Sequence, residues 1–117
     1  MIDPIVFNLP WPPSALSPNG RLHWSKLAKA KKSYRAACAN TAISQGGRKL
    51  TADALVVRVT FVPPDRRARD TDNMIASVKA GLDGLADVLG VDDSKWQLTI
   101  SRTDEVGGMV KVEVRHA

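Results

Sequence analysis

The chain has 117 residues, 44% of them hydrophobic and 25% charged, which is the size and make-up of one compact domain with one core, small enough for a second copy to complete it. One cysteine, Cys38, excludes an internal disulfide, and no Cys and His cluster has zinc-ligand spacing. No stretch approaches the roughly 20 apolar residues that span a bilayer, and the N-terminus opens with Asp3 rather than a basic signal region, so the expectation is a cytoplasmic protein with no membrane partner.

The net charge of +5 is unevenly spread. Between Pro4 and Ala52 there is no acid, while Arg21, Lys26, Lys29, Lys31, Lys32, Arg35, Arg48 and Lys49 all fall there. From Asp53 onward acids and bases are mixed. A basic surface lowers the free energy of nearby phosphate backbones by releasing their counterions, which suits a nucleic-acid partner; a solubilising basic face is the other reading of the same charges.

Ile5 to Leu9 is a short β-prone run ending at Pro10, followed by an extended segment at Trp11-Pro12-Pro13 and a turn at Pro18-Asn19-Gly20. From Ser25, a good N-cap, apolar or small residues recur at Leu27, Ala30, Tyr34, Ala37, Cys38 and Thr41. This is the spacing of an amphipathic helix, ended by Gly46-Gly47, with Lys29, Lys32 and Arg35 off its apolar side. His23-Trp24, just before it, either contacts a ligand or covers the core.

Leu55 to Val62 alternates as a strand and stops at Pro63-Pro64. A second helix fits from about Asp72 to Leu89, with Ile75, Val78, Leu82, Leu85 and Leu89 on one side and Gly90 as its stop; Gly81 and Gly84 weaken it by helix propensity. Trp96, Leu98 and Ile100, then Val110, Val112 and Val114, alternate with polar residues and read as a β-hairpin with a long turn. The order β-α-β-α-β-β predicts an α+β single domain, a mixed sheet with two helices packed on one face.

The segment richest in chemistry runs from Pro63 to Asn73, with Arg66, Arg67 and Arg69 beside Asp70 and Asp72, and Asp92-Asp93 follows some twenty residues later. Hard divalent ions want oxygen ligands, usually one or two carboxylates with waters and substrate phosphate, and the arginines can hold phosphate next to such an ion. Asp70, Thr71, Asp72 and Asn73 are equally good helix N-cap residues, and Asp92-Asp93 can be a solvated turn. Lys79 stacks along one side of the helix with Asp72 and Asp83, where it either faces the same site or pairs with Asp83.

Taken together, Leu9-Pro10-Trp11-Pro12-Pro13-Ser14, Pro64-Asp65-Arg66-Arg67 leading into Asp70-Thr71-Asp72-Asn73, Lys79 to Leu85, and Asp92-Asp93-Ser94 resemble the RusA family of Holliday junction resolvases. The resemblance covers most of residues 1–117. It implies that Asp70, Asp72 and Asp93 are catalytic, metal-binding acids. It also implies a Mg²⁺ or Mn²⁺ cofactor, a homodimer, and a branched DNA substrate, the four-way junction, cut by paired nicks. The family's lysine follows Asp-x-Asp-Asn by three residues, a position filled here by Ala76; Lys79, nearly one helical turn further on, takes its place relative to Leu82-Asp83-Gly84-Leu85. On this reading Lys29, Lys32, Arg35, Arg66, Arg67 and Arg69 track the DNA backbone. The alternative, kept open by Ala76, is a catalytically inactive branched-DNA-binding module; a basic structural protein with no DNA role is the third.

Overall fold

The computed structural model describes residues 4–18 and 22–117. Asp3, the Asn19-Gly20 part of the expected turn, and Arg21 lie outside the described residues. In chain order the elements are β1 (Ile5–Pro10), α1 (Trp24–Ser44), β2 (Leu55–Val62), α2 (Thr71–Leu89), β3 (Trp96–Arg102) and β4 (Met109–His116). Short 3-10 turns occupy Ser14–Leu16 and Asp93–Lys95.

The alternating residues of the strands sort themselves by face. Phe7 and Leu9 of β1, Leu55, Val57, Val59 and Phe61 of β2, and Val110, Val112 and Val114 of β4 are buried in one cluster with Tyr34, Cys38 and Ala42 of α1 and Met74, Val78, Leu82, Leu85 and Leu89 of α2. Because side chains alternate across a strand, one buried set per strand means that both helices cover the same face. The fold is therefore α+β, a four-stranded mixed sheet with two helices on one side, and no helix among the described residues is long and apolar enough to cross a membrane.

The order across the sheet is β1-β4-β2-β3, with β2 and β3 parallel and β4 antiparallel to both β1 and β2. This corrects the expected hairpin: β3 and β4 do not pair but stand on either side of β2. The segment joining them passes across the end of β2, where Thr103 N–H donates to the Phe61 carbonyl (3.1 Å) and Gly107 N–H to the Pro63 carbonyl (2.8 Å). Gly108, at φ 74°, lets the chain turn back into β4. Strand alternation fixes which side chains face the core, and it carries no information about which neighbour a strand selects; β2-α2-β3 forms a parallel crossover unit, and β4 then fills the gap beside β1.

Two further corrections are local. Helix α1 begins at Trp24, one residue before the expected cap, because the His23 ring nitrogen accepts from the Ser25 N–H (3.3 Å) as a serine or aspartate oxygen would. Gly81 and Gly84, which weaken α2 by propensity, are the places where the two helices meet. A Cβ on Gly84 would lie 2.2 Å from the Arg35 carbonyl oxygen, and one on Gly81 would lie 2.6 Å from the Tyr34 ring. Close helix approach is thus selected over intrinsic helicity. Helix α2 ends at Gly90, φ 70°, the left-handed cap that a glycine accommodates.

Candidate functional site

The segment from Pro63 to Asp70 leaves the end of β2 and enters α2, and it is wound around one side chain. Arg69 Nη1 donates to Asp65 Oδ1 (2.9 Å) and to the backbone carbonyls of Asp65 and Arg67 (3.3 Å each). Its guanidinium lies 5.5 Å from the centre of the Trp11 ring, which in turn packs edge-on against Phe61 in the core. Asp65 Oδ1 also accepts from the Arg67 N–H (2.9 Å), and Arg102 Nη1 donates to the Arg69 carbonyl (2.9 Å). The Arg69 side chain is 15% exposed, whereas that of Arg67 is 80% exposed and Arg66 is also exposed. Arg69's hydrogen bond, reinforced by the Arg67 N–H, holds the Asp65 carboxyl down at about 2.

This loop, the Trp11-Pro12-Pro13 segment and the first turns of α2 enclose an open cleft of about 640 Å³. Arg67, Arg69 and Asp70 line it, with Asn73 and Ser77 from α2. Asp70 occupies the N-cap position of α2 yet makes no capping hydrogen bond, so its exposed carboxylate is not used up by the helix. Asp72, in the first turn, is exposed and makes no hydrogen bond or ion pair with any described residue. Ser77 Oγ donates to the Asn73 carbonyl (2.8 Å) within the helix.

A second cluster lies further along α2. Lys79 Nζ contacts Asp83 Oδ1 at 2.8 Å and also binds Asp93 Oδ2. Asp83 and then Asp93 raise the lysine above its ordinary value, so it is held as a cation. The adjacent acids Asp92 and Asp93 do different work: Asp92 Oδ2 accepts from the Ser94 N–H (3.1 Å) and caps the 3-10 turn, which leaves Asp93 to reach Lys79. Of the two readings of Lys79, the i,i+4 pair with Asp83 is present, and the contact with Asp93 comes in addition to it.

Arg67, Arg69 and Asp70 line the cleft, and Lys79 and Asp93 are paired with each other. Asp72 and Lys79 are seven residues apart on α2, about 10 Å along the axis. Among the described residues no three His, Cys, Asp or Glu side chains are grouped so as to hold a metal ion. Lys29 and Lys32 are exposed on α1 and unpaired among the described residues. Arg35 is committed: Nε and Nη2 bind the two carboxylate oxygens of Asp87 at 2.7 and 2.8 Å, bridging α1 to α2.

Sequence reasoning missed Trp11, Asn73 and Ser77 as cleft residues, and Asp65 as the anchor of Arg69. The i,i+4 spacing of Asp65 and Arg69 was the available signal for that pair. Nothing in the sequence placed Trp11 opposite the loop.

No family model matches the chain. It is 39% identical over 112 residues to a protein of Xylella fastidiosa described as uncharacterized, an alignment that covers 93% of this chain and 68% of the other.

Proposed function

We propose that this chain, which belongs to the same family as the Xylella fastidiosa protein, is a structure-selective endodeoxyribonuclease of the RusA type that cuts four-way DNA junctions. The observation that carries the reading is Asp70: a carboxylate at a helix start, free of capping, in a cleft that also holds Arg67. Two-fold pairing suits the reaction, because paired nicks need two equivalent sites and a homodimer supplies them. A cytoplasmic location goes with a lone, buried Cys38.

The exposed Arg66 and Arg67, with Lys29 and Lys32 on α1, hold phosphates of the junction arms. Magnesium usually takes one or two carboxylates and keeps several waters, a demand that Asp70 and Asp72 suit by chemistry. A Mg²⁺ or Mn²⁺ ion, when bound, lowers the pKa of a coordinated water and polarises the scissile phosphate. Asp93 and Asp83 keep Lys79 charged and oriented, and that ammonium stabilises negative charge developing on the phosphate.

A second reading, a branched-DNA-binding module without cleavage, is kept open by Ala76, which fills the position of the family's lysine. Cleavage of a labelled four-way junction against a linear duplex, in Mg²⁺, Mn²⁺ or EDTA, separates the two. Metal-dependent paired nicks in the junction, lost in Asp72→Asn, support the nuclease. Tight junction binding without cleavage in either metal supports the module, and no DNA binding at all removes both.

A further inference from the structure

We infer that Trp24, backed by His23, is a stacking site for an unpaired nucleobase of branched or single-stranded DNA. The inference rests on the nucleic-acid part of the function proposed above and is independent of cleavage. Trp24 opens α1 and is 75% exposed, so it does not cover the core. Its ring lies beside that of His23, centroids 5.4 Å apart and tilted by 36°. The His23 ring is itself fixed: its Nδ1 accepts from the Ser25 N–H and lies 2.7 Å from Ser25 Oγ. The two rings thus form a preset platform, which lowers the ordering entropy lost on binding.

The other two tryptophans are occupied within the fold. Trp96 donates its indole N–H to the Val91 carbonyl (3.0 Å), and Trp11 packs between Phe61 and Arg69. Trp24 has neither a hydrogen-bond acceptor nor an apolar neighbour of that kind among the described residues.

Charge selects the partner. Lys26, Lys29, Lys31 and Lys32 follow Trp24 on the same helix, all exposed and none in an ion pair among the described residues. Cations ask for an anionic partner, and a bare indole asks for a flat one. An acidic peptide meets the first demand and an apolar protein surface the second. A nucleic-acid strand meets both, but only where a base is unpaired, because a duplex keeps its base faces stacked inside.

Binding by fluorescence anisotropy in EDTA tests this without cleavage, using a four-way junction, a single-stranded oligonucleotide and a linear duplex, with wild type, Trp24→Ala and Trp24→Phe. Trp24→Ala is expected to lose about tenfold or more in affinity for the single strand and the junction while duplex affinity stays within about twofold, with Trp24→Phe largely restoring binding. Circular dichroism matching wild type establishes that the variant is folded, as expected for so exposed a side chain. Unchanged affinity on all three substrates, or an equal loss on all three, overturns the inference. A shift from dimer to monomer in sedimentation on Trp24→Ala also overturns it, in favour of a self-association surface. Failure of the wild type to bind any DNA overturns instead the function on which the inference rests.

Discussion

Arg69 folds back onto the carboxylate of Asp65, four residues before it, and closes the loop that delivers Asp70 to the start of α2. Three arginines fall within the four residues 66–69, and this one is turned inward. Its charge is already matched by Asp65, so under the proposed function its contribution to DNA binding would run through the shape of the loop.

That arrangement gives Asp65→Asn an unusual sign. Removing an acid from a basic face strengthens phosphate binding by charge alone. If the loop's shape dominates, Asp65→Asn weakens junction binding several-fold, and Arg69→Ala does the same while leaving the salt slope unchanged. Titrations of the Kd against salt decide the matter: a phosphate contact by Arg69 would lower the slope by about one in the variant. Tighter binding by Asp65→Asn would mean that the loop holds without its anchor.

The same pair predicts an acid limb in the stability curve. The folded carboxyl of Asp65 sits at about 2, below the roughly 3.9 of an unfolded aspartate. Its contribution is therefore complete above the unfolded value and is lost as pH falls from about 4 towards 2. Asp87, held low by Arg35, adds to the loss in the same direction. Urea unfolding of wild type and Asp65→Asn across this range should show a shallower acid decline in the variant.

Gly84→Ala reverses a propensity rule. Alanine in an exposed helix stabilises by up to about 1 kcal/mol over glycine. At Gly84 the new methyl would lie 2.2 Å from the Arg35 carbonyl oxygen, a backbone atom that moves only with α1. The expected outcome is a net destabilisation of about 1–3 kcal/mol, read from denaturant midpoints. A more stable variant would show that the helices can separate at no cost.

Lys79→Ala separates binding from chemistry. With Arg66, Arg67 and the α1 lysines intact, junction affinity should change little, while the single-turnover cleavage rate falls by about 100-fold. A loss of affinity with an unchanged rate would make Lys79 a phosphate anchor instead.

Burial of Cys38 makes a last prediction. Desolvation pushes its thiol up to about 11, and the side chain is fully buried between the helices and the sheet. A thiol reagent at pH 8 should label it only as fast as the protein unfolds, since the thiolate is the reactive form. Rapid labelling of the folded protein would require an opening of the α1–α2 contact.

Periodicity served the sequence reading well where burial is one-sided. The extent of β2 and the Gly90 stop of α2 were both legible, because a helix or strand with one apolar face writes its period into the chain. Partner choice was not legible. The β3–β4 hairpin was inferred from closeness in sequence, yet β2 stands between those strands. The same limit applies to the charges: Arg35, Arg67 and Arg69 look alike in sequence and each meets an aspartate, Arg35 at Asp87 and the other two at Asp65, yet only Arg69 is turned inward, and that is set in three dimensions. The adjacent acids Asp92 and Asp93 were separable only once the 3-10 turn showed which of them caps it.

Strand β1 joins the sheet only through β4, with Ile5 beside Val114 and Leu9 beside Val110. β1 is therefore made well before the strand that supplies its hydrogen-bonded neighbour, and residues 11–108 must be looped between them. Such remote pairing slows folding relative to a protein of local contacts and leaves Phe7 and Leu9 uncovered in the interval. Ribosome-bound or C-terminally clipped chains should accordingly be the forms most dependent on chaperones, however stable the finished sheet.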